Sequence, residues 1–364
     1  MFAPASIPSP GLEWRVLVDL GDVLRDLGLS WVTFDLPIRS YAICILIGIF
    51  AAALLTNARL NRRGAEPGVT LDVAFFALIF GVIGARIYHV LTHPDDYFFA
   101  GADPWAVIAI WDGGIAIFGA LLGGALGVFI GCRLVGLRFW TYADALAPGL
   151  LLAQAFGRLG NWFNQELYGV PTDLPWGLEI DQPNGAFPAG LPDDTLFHPT
   201  FLYEIVWNLA GVAVLLLAER KFARIKTTVD SITSTRIEPL APRLQWGRLL
   251  GLYLVWYGLG RAVFESIRID PSEIILGVRV NVWAAFAAIV VGLLIIIIQG
   301  RRHPGAEPSA YLPGREWKPE AGLDSEDTYS DTADDSNSDG DSAPAMVGSS
   351  AAPPSATSGG GAKK

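Results

Sequence analysis

The densest chemistry in the chain is Gly157-Arg158-Leu159-Gly160-Asn161-Trp162-Phe163-Asn164-Gln165-Glu166-Leu167-Tyr168-Gly169. Arg158 and Asn161, three residues apart, share one face of a helix. Gly157 and Gly160 remove bulk beside them, so another backbone or a ligand can approach. A guanidinium and an amide so placed suit a phosphate oxygen, held by charge-assisted hydrogen bonds. Packing around small residues alone accounts for the glycines but not for the arginine. Asn164 and Glu166 fall where the helix emerges.

Two further patterns carry ionisable groups at helical spacing. In His198-Pro199-Thr200-Phe201-Leu202-Tyr203-Glu204, Pro199 suits the first turn of a helix, where no amide donor is lost. Glu204 and Asn208 then share an inward face. His198 reads as a loop anchor or hydrogen-bonding group before it reads as a base. Tyr257, Arg261 and Glu265 repeat at i, i+4 and i+8, with Arg268 following. Pairing of Arg261 with Glu265 would hold the arginine in place and keep the acid ionised. No phosphate-binding P-loop, HExxH or GxSxG is present, and no histidine has an aspartate five residues later. Nothing implies a metal, a nucleotide or any other cofactor.

These residues must be positioned by membrane helices. The 364 residues are 52% hydrophobic and only 17% charged, with 40 Gly and 12 Trp. Average soluble domains carry about 25% charged residues. A soluble enzyme, a nucleic-acid binder and a disulfide scaffold are therefore poor readings. Cys44 and Cys132 lie in apolar runs and read as small buried hydrophobes. Apolar stretches at 41–57, 71–91, 105–132, 143–163, 200–217, 249–267 and 280–299 predict seven transmembrane helices. Asp112-Gly113-Gly114 marks the third as prone to break. The first 39 residues lack the basic region and apolar core of a secretory leader.

With the N-terminus outside, the inner loops hold fourteen Lys and Arg and the outer segments five, which obeys the positive-inside rule. That orientation puts the C-terminus in the cytoplasm. It puts residues 164–198, with five prolines, six acids and no Lys or Arg, outside as a small ordered head. Residues 1–40 form an extracytoplasmic segment, 41–302 the membrane core, and 303–364 an acidic disordered tail. The tail carries eleven acids against four bases, which leaves residues 1–302 only −3 of the total −10. Ionisable residues within the spans are few and include Arg86, Asp112, Asp144, Arg158, Glu204, Arg261 and Glu265. Of these, Arg86, Arg158, Glu204, Arg261 and Glu265 fall in the outer half of their spans, which predicts one site near the outer interface.

At this point the residues resemble the prolipoprotein diacylglyceryl transferase family. The likeness covers roughly residues 30–300 and rests on Gly157–Gly169, His198–Glu204, Tyr257–Glu265, Tyr41, Arg86 and Asp112-Gly113-Gly114. It implies a multi-pass enzyme of the bacterial inner membrane with its site toward the outer leaflet. The implied reaction moves a diacylglyceryl group from phosphatidylglycerol to the lipobox cysteine of a prolipoprotein signal peptide. A thioether forms and glycerol phosphate leaves. Arg158 and Arg261 are implied as phosphate clamps, Asn161 as a headgroup contact, and Glu265 as the group orienting Arg261. Around them the resemblance implies substrate contacts from Tyr41, Arg86, Asn164, Glu166, Gly169, His198, Tyr203, Glu204, Tyr257 and Arg268. Many relatives carry a histidine in the third span where this chain has Phe118. The base stays open among His198, a tyrosine, a carboxylate and arginine-assisted ionisation of the thiol. The competing classes are a lipid or anion transporter and a non-catalytic phospholipid-binding protein.

Overall fold

The structure is a computed structural model. It describes residues 6–318 except 183, 222, 225–226, 231–233, 238–240 and 243, and it leaves out the side chains of 112 and 221–243. The acidic segment beyond 318 lies outside the described residues.

The chain opens with β1 (Val16–Asp19), the short α1 (Leu20–Asp26) and β2 (Pro37–Arg39), and β1 pairs antiparallel with β2. Seven long helices follow: α2 (Ser40–Asn61), α3 (Val69–Thr92), α4 (Ile117–Val135), α5 (Phe139–Asn164), α6 (Thr200–Lys221), α7 (Arg248–Glu265) and α8 (Val280–Arg302). Between α6 and α7, β3 (Ala223–Arg224) pairs with β6 (Ala241–Pro242), and β4 (Thr227–Asp230) with β5 (Ser234–Ile237). A small hairpin of β7 (Ile274–Ile275) and β8 (Val278–Arg279) precedes α8.

Among the described residues five helices, α2, α3, α4, α6 and α8, are long and apolar enough to cross a membrane, which makes the chain a multi-pass membrane protein. The two that fall short of that composition are α5 and α7. They carry Arg158, Arg261 and Glu265, and α5 is the helix that packs against α2, α4, α6 and α7. Their polarity serves the interior of the bundle rather than the lipid face. The predicted third span is shorter than expected. Residues 104–112 form two 3-10 turns, Gly113 and Gly114 take φ of 90° and 72°, and α4 begins only at Ile117. Those left-handed angles are open to glycine at little cost.

Helices α3 and α4 meet through glycines. A Cβ on Gly119 or Gly123 would overlap the carbonyl oxygens of Gly84 or Phe80 on the facing helix. Stretches of small residues let backbones approach this closely.

The far end of the bundle, where α2 and α6 finish and α5 and α7 begin, is tied by polar contacts. Pro148 has no N–H, so the carbonyl of Asp144, four residues back, loses its helical donor. Arg59 supplies a replacement, donating to Asp144 O at 3.1 Å and to Ala145 O at 3.0 Å. Arg59 and Arg63 both pair with Glu219, at 2.5 and 2.9 Å. The Asp144 carboxylate caps the start of α7, accepting from the N–H groups of Gly247 at 2.8 Å and Leu250 at 2.9 Å. Asp144 therefore serves the scaffold, at the opposite end from Arg158.

Residues 303–318 depart from the expectation of a disordered tail starting at 303. They run back over this end as a strap. Leu312 N donates to Gly136 O at 2.8 Å and Arg138 N to Ala310 O at 2.9 Å, and Tyr311 is buried. Glu307 accepts from Thr141 Oγ1 at 2.7 Å and from Trp246 N at 2.8 Å. Arg315 donates to the carbonyls of Arg133 and Leu134, the last turn of α4, at 2.6 and 2.7 Å. Ala310 and Tyr311 supply buried apolar surface that composition averaged over the whole tail conceals.

Candidate functional site

The site forms at the other end, where α5 and α7 finish and α6 and α8 begin. Arg158, six residues before the end of α5, places Nε 2.7 Å from Glu204 Oε2 on α6 and Nη1 3.2 Å from Asn161 Oδ1. Asn161 passes the contact on, donating through Nδ2 to Glu166 Oε1 at 2.9 Å, and Asn164 Nδ2 reaches the same oxygen at 3.1 Å. The chain turns out of α5 at Gln165, a left-handed residue (φ 51°) that is almost fully buried. Gln165 Nε2 donates to Pro10 O and Asp181 Oδ2, both at 2.7 Å, and its Oε1 accepts from Asp181 N at 2.9 Å. Such a conformation costs about 1–3 kcal/mol and persists only where its surroundings hold it. Gln165 thus anchors the head directly beneath Arg158 and Asn161.

On α7, Glu265 is wholly buried and gathers cations. Its Oε2 lies 3.0 Å from Arg261 Nη2 and 3.9 Å from Arg268 Nη1. The Arg261 contact is an ion pair without hydrogen-bond alignment. Its Oε1 takes Arg279 Nε at 3.0 Å and Asn281 Nδ2 at 2.9 Å. Arg279 also donates to the carbonyls of Glu265 at 3.2 Å, Arg268 at 2.7 Å and Asp270. Arg268 pairs with Asp270 at 2.7 Å. Three guanidiniums thus share two carboxylates, and the cluster keeps a positive surplus that a phosphate would neutralise.

A cavity of about 290 Å3 opens among these helices. Its polar wall comprises Gln154 and Arg158 from α5, Glu204 and Asn208 from α6, Tyr257 and Arg261 from α7, and Asn281 from α8; Phe118, Trp207 and Phe264 supply apolar surface. Trp207 and Trp256 hold α6 to α7. Their rings stack with centroids 4.4 Å apart, and each indole N–H donates to the other's backbone carbonyl, at 3.3 and 3.2 Å.

The predicted site residues divide by location. Arg158, Glu204, Tyr257 and Arg261 line the cavity, with Asn161, Glu265 and Arg268 directly behind them. Tyr41 lies over Gly160, where an added Cβ would come within 2.7 Å of its ring. Glu166 and Asn164 form the relay into the head. Gly169, His198 and Tyr203 belong to the head junction. Gly169 N donates to His198 O at 3.0 Å, His198 Nδ1 lies 3.2 Å from Tyr203 OH, and Trp176 donates to that hydroxyl at 3.0 Å. Tyr168, packed in the head, has its phenol pushed up to about 12 by burial. Arg86 stands apart. It donates to the carbonyls of Val107 (2.8 Å), Gly113 (2.7 Å), Gly114 (2.8 Å) and Ala106, holding the loop before α4.

The polar residues singled out neither by motif nor by resemblance are Gln154, Arg279 and Asn281. A signal existed for Gln154, since 154, 158 and 161 follow the i, i+4, i+7 spacing of one helix face. Arg279 and Asn281 reach the site only through the β7–β8 hairpin, which no local pattern announces.

The fold and site define a multi-pass membrane protein whose cavity, framed by fixed arginines, suits an anionic group. Comparison with known proteins narrows the class. Residues 30–298 match the family described as prolipoprotein diacylglyceryl transferase. A phosphatidylglycerol–prolipoprotein diacylglyceryl transferase of Leifsonia xyli subsp. xyli is 56% identical over 332 residues, covering 89% of this chain and 90% of the relative. A Streptomyces coelicolor relative of that name is 43% identical, covering 77% and 81%. One from Bifidobacterium longum is 41% identical, covering 76% and 84%. The chain belongs to the prolipoprotein diacylglyceryl transferase family, and it is a transferase.

Proposed function

We propose that the chain transfers the diacylglyceryl group of phosphatidylglycerol to the lipobox cysteine thiol of a prolipoprotein signal peptide. In this step a sulfur–carbon bond forms at the glyceryl carbon that carries the phosphate. The carbon–oxygen bond to phosphate breaks, and glycerol phosphate departs with the electron pair. The observation that carries the reading is the placement of Arg158 and Arg261 on two walls of one cavity. A carboxylate holds each arginine on one edge of its guanidinium. Donors fixed in advance stabilise charge that develops on the leaving phosphate, and they do so most where water is excluded. The same positive charge favours the thiolate, which is the nucleophilic form. Asn161 orients the head group, Glu265 sets the direction of Arg261, and Glu166 fastens the head to the end of α5.

We further place all seven long helices across the bacterial inner membrane, with the head and the site toward the outer leaflet and the strap in the cytoplasm. The fourteen basic residues on the strap side and five on the other support that orientation. The test is a reconstituted assay with phosphatidylglycerol and a lipobox peptide, read by mass spectrometry against a Cys→Ser peptide. A cysteine-dependent thioether with matching glycerol phosphate is expected. Folded protein that binds the lipid and forms neither product overturns the reading in favour of lipid presentation or transport.

A further inference from the structure

We infer that Asn208 and Gln154 form a separate subsite of neutral amides that recognises the hydroxyl groups of the lipid head, one helical turn beyond the arginines. The inference rests on the transfer reading above and names what selects its lipid.

The site is built in two levels. Helices α5 and α6 run antiparallel and are joined at the level of Arg158 and Glu204 by their ion pair. Four residues back along α5 is Gln154, and four residues forward along α6 is Asn208. Both steps lead away from the head, by about 6 Å at 1.5 Å per residue. Tyr257 lies four residues before Arg261 on α7 and takes the same step. All three line the cavity that holds Arg158 and Arg261. The first level is charged, and the second contains amides and a phenol only.

The second level has unused hydrogen-bonding capacity. Asn208 is only 5% exposed and lines the cavity, yet its amide makes no hydrogen bond to any described residue. Gln154 spends its amino group on Tyr253 OH at 3.0 Å, which leaves its oxygen as an acceptor. An amide that faces a cavity without a protein partner is free to bond a ligand or water there. The ligand chemistry that fits is a short chain bearing neutral hydroxyls, which both donate and accept, attached to a phosphate held by the arginines. A cationic amine at the same distance meets no carboxylate on this level and lies beside two guanidiniums.

The head-group hydroxyls take no part in bond making, so a lipid with a phosphopropyl head, lacking both, remains chemically competent. The experiment compares kcat/KM for phosphatidylglycerol and the phosphopropyl lipid in the wild-type protein and in Asn208→Leu and Gln154→Met. The wild type should favour phosphatidylglycerol by at least about tenfold, since a site built to bond a hydroxyl rejects the analogue lacking it. In each variant the ratio should fall toward one, while turnover of the phosphopropyl lipid stays within about threefold of wild type. A wild-type ratio near one overturns the inference, whatever the variants do. So does a variant that slows both lipids equally, because that marks a structural role. If the wild type forms thioether from neither lipid, the transfer reading fails and the subsite with it.

Discussion

The two arginines at the centre of the cavity are not equivalent. Glu204 has Arg158 as its ion-pair partner among the described residues, whereas Glu265 keeps Arg279 and Asn281 if Arg261 is removed. Stranding a buried carboxylate costs about 3–5 kcal/mol. Arg158→Ala should therefore lose stability as well as turnover, and Arg158→Lys is the cleaner probe. Lysine keeps the charge but cannot reach Glu204 and Asn161 together through a rigid fork. We expect Arg158→Lys and Arg261→Ala each to lower kcat about a hundredfold or more while thermal unfolding in detergent stays near wild type. Turnover within threefold of wild type would remove that residue from the mechanism. Arg279 acts through its neighbours, fixing Glu265 and Asp270. Arg279→Gln should reduce kcat roughly tenfold with little change in KM for the lipid, and Arg279→Lys should recover part of it. A rise in KM alone would show that Arg279 contributes to lipid binding instead.

At the level of helices, close approach is set by a few glycines. A methyl group on Gly123 would meet the Phe80 carbonyl, which is backbone and cannot step aside, while one on Gly124 would lie 3.8 Å from the nearest heavy atom. Gly123→Ala should thus lower the unfolding temperature, at a cost of about 1–3 kcal/mol, and Gly124→Ala should leave it unchanged. Equal behaviour of the two variants would show that α3 and α4 do not pack through these backbones. Composition identifies five of the long helices readily because lipid-facing surface must be apolar. It underrates α5 and α7 because their polar faces turn inward, toward one another and the cavity.

For the whole molecule, the strap decides where the chain can be cut. Truncation after Arg302 removes Glu307, Tyr311 and Arg315, together with their bonds to Thr141, Trp246, Glu66 and the end of α4. It should lower the unfolding temperature by several degrees and reduce the yield of folded protein. Truncation after Lys318 should change neither. Identical melting of both truncated forms and the full chain would mean that the strap contributes nothing to the bundle.

The sequence by itself determined the class of the protein, the long helices, the charge asymmetry of the loops, and the local sets Arg158 with Asn161 and Arg261 with Glu265. Each of these follows from hydropathy or from 3.6-residue periodicity, which are properties of neighbours along the chain. Only the tertiary structure decided that Glu204 partners Arg158, that Arg86 serves backbone carbonyls and Asp144 caps α7, and that Arg279 and Asn281 come to Glu265 from the β7–β8 hairpin and the start of α8. Those pairings depend on which faces meet when the helices pack. No periodicity encodes that choice, because a buried charge accepts any geometry that supplies its partner.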